Sequence, residues 1–476
     1  MMVLLTEKGS GTMKQFSHTL RILAVMLALF LVAGCSAAET TPPTTEPTVP
    51  TAPTEPPVVD IGGTQLLLDT QQLDLTAVTY ELDALVNAAS SLDSVTAINA
   101  GTLNAQSILK ISDAFPNADI QYQVDLLGQV LSAQTEMLDA GMMQVEQTQE
   151  LVDALSLLPN LQEINFVSED GTCVFGLEDL EELDRIQAAV PDAYLRVRFE
   201  LFGQTVTSED EHIEYLQADI GNEGIETVRA VLPYLKSCTY FLMDGCGTDY
   251  EILAQLRDDF PETEIVWRVW LVEEDYTSKL FLRCGSYLTD TIKIRTTYVN
   301  DENSHVLNYC TKTKYVDVGH VWQLSQCDFL SYMPDLEVCI IAITYITDIT
   351  PLANHDKLEY LELFTTDIAD LTPLMSCPNI EHLNISNMQM LTDISPVYTL
   401  KKLKRLRMVD SYSIPEEQLK EAYQMLPDCN ILDQGHFPTS WGWRWLDPAK
   451  TQKDPRYELL CEQFEYAIDG MIYGIP

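Results

Sequence analysis

Apolar residues recur along the C-terminal third of the chain with a period of 22 residues. Leu336, Leu358, Ile380 and Leu403 open successive copies at steps of 22, 22 and 23. Each opener is followed by apolar residues three and five positions on: Cys339 and Ile341, Leu361 and Leu363, Leu383 and Ile385, Leu406 and Met408. A second signature runs in register with the first, as Asp348-Ile-Thr-Pro-Leu352, Asp370-Leu-Thr-Pro-Leu374 and Asp393-Ile-Ser-Pro-Val397. A unit this short cannot bury its own apolar face, so copies must stack, each giving one strand to a shared parallel sheet. The return stroke is too short for a full helix, and Pro351, Pro373 and Pro396 predict short 3₁₀ or extended segments there. Degenerate copies begin near Thr313, with Val316 and Val318 inward and Phe329-Leu330 replacing the Pro-Leu pair, and near Ile292 and Ile294.

A longer period governs the N-terminal half. Phe115-Pro-Asn-Ala, Val190-Pro-Asp-Ala and Phe260-Pro-Glu-Thr each lead into alternating apolar positions: Ile120/Tyr122/Val124/Leu126, Leu195/Val197/Phe199/Leu201 and Ile265/Trp267/Val269/Leu271. A two-residue period marks a half-buried strand, with the intervening polar residues facing out. Gly128-Gln129 and Gly203-Gln204 predict turns that close two of these strands. Helical patterns ended by proline precede the strands, as at Leu177, Leu180, Leu183 and Ile186 before Pro191, and at Ile252, Leu253 and Leu256 before Pro261. Further helices are predicted over Leu151 to Leu158 and Ile225 to Leu232. Strand and helix alternating in this way predict a right-handed α/β solenoid with helices on the convex side of the N-terminal half. An independent α/β domain ahead of the short repeats is the alternative.

Residues 1–35 have the pattern of an export signal: Lys14 and Arg21 precede an apolar stretch from Ile22 to Ala33, which is too short to span a bilayer. Translation from Met1 or from Met13 leaves the same signal. The stretch ends in Leu-Val-Ala-Gly-Cys35, which resembles the lipobox of bacterial lipoproteins and implies acylation of Cys35, with the protein held on the extracellular face of the cell membrane. The alternative is an ordinary signal peptide cut near Ala37 or Ala38. Residues 36–57 form a linker; Thr41 to Pro57 contains seven prolines, a stiff polyproline II tether reaching roughly 50 Å at about 3 Å per residue. Residues 58–278 carry the long repeats, 279–412 the short ones, and 413–476 a helical C-terminal cap.

The formal charge of −44 is unevenly placed: residues 58–278 hold 41 Asp and Glu against 8 Lys and Arg. That balance excludes nucleic acid as a partner of this half. Of the 11 cysteines, Cys35 is assigned to the anchor and the other ten show no CxxC or metal spacing. Core burial is their expected role; Cys238 with Cys246, and Cys310 with Cys327, are bridged only if turns bring them together.

The LxxLxL period with its Asp-Ile-Thr-Pro-Leu connectors resembles the leucine-rich repeat family, in particular the bacterial surface type that includes the internalins. The resemblance implies a curved solenoid whose parallel sheet lines a concave face and binds a protein or glycan. The family's ninth-position Asn, which ties neighbouring coils, is replaced by Thr344, Thr366 and Met388. Thr hydroxyls and Asn387 are the expected substitutes.

Successive strand residues point to opposite sides, so the side chains between the inward positions face the concave surface. This assigns Tyr315, Asp317, Ile340, Tyr360, Glu362, Phe364, His382, Asn384, Arg405 and Arg407 to a ligand-binding face. Tyr360 and Phe364 beside Ile340 are expected to form an exposed apolar patch, with Arg405 and Arg407 offering charge-assisted hydrogen bonds at one end. Trp441, Trp443 and Trp445 alternate as an aromatic platform for sugars or peptides, or seal the last open edge of the stack together with helices around Leu419 and Tyr457. No HExxH, GxSxG, GxxxxGK[ST] or GxGxxG signature is present, and no cofactor, metal site or catalytic residue is expected. The sequence therefore predicts a monomeric, lipid-anchored binding protein rather than an enzyme. A carbohydrate-active enzyme of the cell envelope, using an acidic N-terminal groove, and a passive surface scaffold are the alternatives.

Overall fold

The computed structural model describes residues 56–272, 285–435 and 437–466. Cys35 and the linker as far as residue 55 lie outside the described residues. The chain divides into Met1–Pro57 and Val58–Pro476, and every described strand and helix belongs to the second unit.

Seven three-residue strands form one parallel sheet in strict chain order: Lys293–Arg295, Tyr315–Asp317, Val338–Ile340, Tyr360–Glu362, His382–Asn384, Arg405–Arg407 and Asn430–Leu432. Their registers align Ile294, Val316, Cys339, Leu361, Leu383, Leu406 and Ile431 across the sheet. All seven are buried. This is the line of inward residues that the 22-residue period and its degenerate copies at Val316 and Ile294 predict, extended by one copy at the C-terminal end.

The five coils from Tyr315 to Arg407 leave the sheet through a non-glycine residue in the left-handed region: His320, Ile343, Thr365, Asn387 and Asp410 have φ between 51° and 68°. The turn aims a backbone N–H at the next coil. His320, Ile343, Thr365 and Asn387 donate to the carbonyls of Ala342, Phe364, Ser386 and Val409 at 2.8–3.0 Å. The expected Asn ladder is thereby replaced mainly by main chain. Thr344 and Thr366 turn their hydroxyls back to Ile341 and Leu363 of their own coils, so they tie nothing across. Asn387 does link coils, donating its side-chain amide to Thr365 at 3.0 Å.

Proline opens the 3₁₀ segments Thr350–Leu352, Thr372–Ser376 and Ser395–Thr399, because its fixed φ suits a first turn where its missing N–H is not needed. Asp348, Asp370 and Asp393 accept the backbone N–H two residues on, each at 2.8 Å. The repeated Asp is therefore an Asx turn that sets the Pro-Leu pair inward.

In the N-terminal half, three groups of parallel strands follow one another: 72–74, 97–103 and 119–126; 137–139, 163–165 and 194–196; 212–216, 240–244 and 264–270. The first and third groups close with an antiparallel partner, at 129–131 and 286–288, whereas after the second group 198–201 and 204–207 pair as a separate two-stranded antiparallel sheet. Two of these hairpins turn at Leu127-Gly128 and Phe202-Gly203, where both residues have positive φ, as a tight two-residue loop requires. Helices Leu82–Ala88, Ala105–Ala114, Thr148–Leu155, Leu180–Ala189, Gly221–Val231 and Tyr250–Asp259 connect the strands. Five of them, with Ile108, Leu151, Leu183, Ile225 and Leu253, bury a face in the cluster that holds the inward strand residues. That cluster runs without a break from Ala105 to Ile431, across the change from long to short coils. A smaller one, from Ile61 to Phe115, closes the N-terminal end.

The nine cysteines among the described residues are free. Cys238 is not bridged to Cys246, nor Cys310 to Cys327; the Sγ atoms of Cys238 and Cys327 instead meet the carbonyls of Tyr240 and Asp348, each at 3.3 Å. Burial pushes Cys310 and Cys327 up to about 12. Among the described residues, no helix is long and apolar enough to cross a membrane.

Hydrogen bonds from Thr350, Thr372 and Ser395 hold the carboxyls of Asp348, Asp370 and Asp393 below the usual range. A carboxyl depressed on folding stabilises the fold above its unfolded pKa and loses that contribution as pH falls through the folded one. Replacing any one of the three by Ala is expected to lower stability by about 1 kcal/mol, the net worth of such a bond. The triple variant should lose less stability than the parent between pH 5 and 2, as read by thermal melts.

Candidate functional site

The alternation of strand side chains holds: Tyr315, Asp317, Val338, Ile340, Tyr360, Glu362, His382, Asn384, Arg405 and Arg407 all lie on the face opposite the main core. Their exposure differs from expectation. Tyr360 is 1% exposed, Glu362 0% and Arg407 1%, and Ile340 and Phe364 are buried with them. The apolar patch expected on the open concave surface is covered by residues 437–466 of the same chain. Val338, Ile340, Ala342, Tyr360 and Phe364 form a separate cluster with Trp443, Leu460 and Phe464. The physical reason lies in the face itself, since contiguous outward apolar side chains need a cover.

Glu362 stands at the centre. One carboxylate oxygen accepts the Trp443 indole N–H at 2.6 Å and the Tyr360 hydroxyl at 2.5 Å; the other takes the Arg444 guanidinium at 2.6 Å. Tyr360 packs on the Trp443 ring at 5.6 Å, and Arg405 stacks over that ring at 4.8 Å. Arg405 also pairs with Asp454 at 2.8 Å and donates to the Trp443 carbonyl. Arg407 donates to the carbonyls of Trp441 and Phe437, each at 3.0 Å, and Asn384 to that of Pro438. At the other end the Tyr466 hydroxyl donates to Asp317 at 2.6 Å, with Arg295 over the Tyr466 ring. Burial raises the Asp317 carboxyl against the lowering effect of that bond.

Two groups show how the cover alters the face electrically. Burial, with the charges of Arg405, Arg456 and Lys404, pushes His382 down to about 3. The ring is therefore neutral, and its Nδ1 accepts a hydrogen bond from Arg405 Nε at 3.0 Å. Burial lowers Arg407 to about 10. Among the described residues, the Nε atoms of Arg407 and Arg444 are buried without a hydrogen-bond partner, a defect worth about 1–3 kcal/mol for each group.

The three indoles do not make one platform. Trp441 is 59% exposed, Trp443 is fully buried against Glu362, and Trp445 packs on Tyr457. They also do not seal the last edge of the sheet; strand Asn430–Leu432 occupies it, with Ala422 and Leu426 of the preceding helix region in the main core. Helix Pro455–Gln463 lies on the sheet face instead, through Leu460. Arg444, Asp454 and Tyr466 escaped the sequence reading, and so did the Asx residues that close the strands. Asp74, Asn99, Asp139, Asn165, Asp317 and Asn384 each accept the N–H two residues on. An Asp or Asn at the last strand position, or before the bulge in 97–103 for Asn99, is the signal that finds them.

A groove of about 1030 Å³ in the N-terminal half is lined by Asp139, Glu146, Glu169 and Asp170. Two of these acids are committed locally: Asp139 accepts from Gly141 and Asn165, and Asp170 from Ser168 and Thr172. These bonds lower the Asp170 carboxyl, the opposite of what a general acid needs.

The stacked parallel coils and their inward aliphatic line make the fold leucine-rich-repeat-like. Among solved structures, an internalin (inlF) from Listeria monocytogenes is similar at 16% identity, covering 73% of this chain and 76% of the other with a TM-score of 0.28. A leucine-rich repeat protein from Leptospira interrogans is similar at 14% identity over 76% of this chain and 96% of the other, TM-score 0.28. Internalin C2 (inlC2) from Listeria monocytogenes is 20% identical over 28% of this chain and 69% of the other, TM-score 0.22. No protein-family model and no curated protein matches the chain.

Two outcomes test the covered face. Tyr360→Ala should destabilise the protein by about 3–5 kcal/mol in denaturant unfolding, as for a buried aromatic; a change under about 0.5 kcal/mol would mean an exposed ring. His382 is depressed on folding, so the unfolded chain binds the proton first and stability falls as pH drops below about 6.5. His382→Asn should flatten the melting temperature between pH 7 and 4.

Proposed function

We propose that the chain is a lipid-anchored recognition protein on the extracellular face of the cell membrane, acting by binding rather than catalysis. In this reading Cys35 carries the lipid and residues 36–57 stand the folded part off the surface. Residues 58–476 form a right-handed leucine-rich-repeat solenoid that works as a monomer and binds a polypeptide partner on its sheet. The supporting observation is that the sheet face already holds a stretch of polypeptide, residues 437–466, through side chains that differ from coil to coil. The inward line is uniformly apolar, whereas the outward positions run from Tyr and Asp to Val and Ile, Tyr and Glu, His and Asn, and Arg. A constant scaffold with a varied face is the economy of a recognition surface. A glycan partner has less support, because the indoles do not share one exposed plane.

Detergent phase separation and binding arrays test both halves of the proposal. The full-length protein expressed in a bacterium should enter the detergent phase, and Cys35→Ser should move it to the aqueous phase. The purified protein should bind a discrete subset of an immobilised peptide array and no glycan array. Silent arrays of both kinds would return the passive scaffold, and binding to sugars alone would exchange the partner class.

A further inference from the structure

We infer that the concave sheet over residues 315–407 is a site for an aromatic and cationic polypeptide segment, read by Glu362 through one indole N–H and one adjacent guanidinium, and that residues 437–466 are its resident, exchangeable occupant. The inference rests on the reading of the sheet as a polypeptide-recognition surface and names the chemistry that this surface selects.

Three observations separate this segment from an integral part of the fold. It adds no strand to the seven-stranded sheet, which ends at Asn430–Leu432. Its apolar residues Trp443, Leu460 and Phe464 belong to a cluster distinct from the main core, so that core is complete without them. Its grip is that of a bound peptide: Trp443, Arg444 and Tyr466 insert as anchors, while Arg405, Arg407 and Asn384 reach its backbone carbonyls. Trp, Tyr and Arg are the residues that carry most binding energy at interfaces.

The site selects by charge and by donor geometry. Glu362 is wholly buried and presents two oxygens to two different donors, an indole and a guanidinium contributed by consecutive residues. An anionic or purely aliphatic segment would leave that buried carboxylate with the Tyr360 hydroxyl as its one donor from the sheet, which disfavours such a segment strongly. The fit of the resident is incomplete, because Arg407 Nε and Arg444 Nε have no acceptor among the described residues. A partner that supplies acceptors there competes with it. Release alone would bare Val338, Ile340, Tyr360 and Phe364 together, so the chemistry favours exchange of one segment for another.

The test uses the full chain and a fluorescein-labelled synthetic peptide of residues 437–466. Tethering gives the resident an effective concentration of about 1 mM or more, so the unaltered chain should bind the peptide weakly. The variant Trp443→Ala with Arg444→Ala should bind it at least about tenfold more tightly by anisotropy. Peptides carrying Trp443→Leu or Arg444→Gln should lose that gain. Equal binding by parent and variant, with the melting transition retained, would overturn the inference. Hydrogen exchange on the unaltered chain decides the matter if the variant does not fold: amides of 441–446 should exchange at least about tenfold faster than those of 361–363, and equal rates would make the segment an integral part of the fold. Peptide binding decides this inference alone, whereas the peptide and glycan arrays decide whether the chain is a recognition protein.

Discussion

A coil of 22 residues has no interior of its own, and the structure depends on how that deficit is met. Each inward residue must find its counterpart one coil away, so Ile294, Val316, Cys339, Leu361, Leu383, Leu406 and Ile431 fall into one buried line. Parallel pairing in a fixed register is the only arrangement that aligns them, because a slip of one residue would turn every apolar side chain outward. The left-handed residues at the end of each strand, and the Asx turns before each Pro-Leu pair, keep the coils at the spacing the register demands.

The same register displays the alternate side chains in columns on the other face. In the N-terminal half the corresponding face lies open at His212 and Glu214. From Asp317 to Arg407, where apolar Val338, Ile340, Tyr360 and Phe364 stand among polar residues, the C-terminal segment covers the face. Burying Glu362 is tolerable only because Trp443, Tyr360 and Arg444 supply its hydrogen bonds. The carboxylate therefore fixes where the segment sits.

Period and alternation made the C-terminal coils legible to the level of single residues, including which strand positions face the core. In the N-terminal half the helices before Pro191 and Pro261 and the hairpins at Gly128 and Gly203 were equally plain, whereas strands such as 97–103, 137–139 and 240–244 were not assigned by residue. Exposure was not legible. An alternating strand shows which side a residue is on, but not whether that side meets water, and Tyr360 reads alike in both cases. The helix at Tyr457, Leu460 and Phe464 is amphipathic and would fit an open edge or a sheet face. The apolar run Val338, Ile340, Ala342 among outward positions was the one clue to its true seat. The missing Asn ladder was also misjudged in part, because main-chain N–H groups took over a role sought among side chains.

Stacked coils touch only their neighbours, so in such a fold mechanical and thermal disturbances pass from one coil to the next and can begin at either end. The segment 437–466 changes that rule. It reaches Arg295 and Asp317 at one extreme and Arg405 and Arg407 at the other, joining coils that share no contact of their own. While seated it acts as a splint across six consecutive coils, making their unfolding more nearly all-or-none.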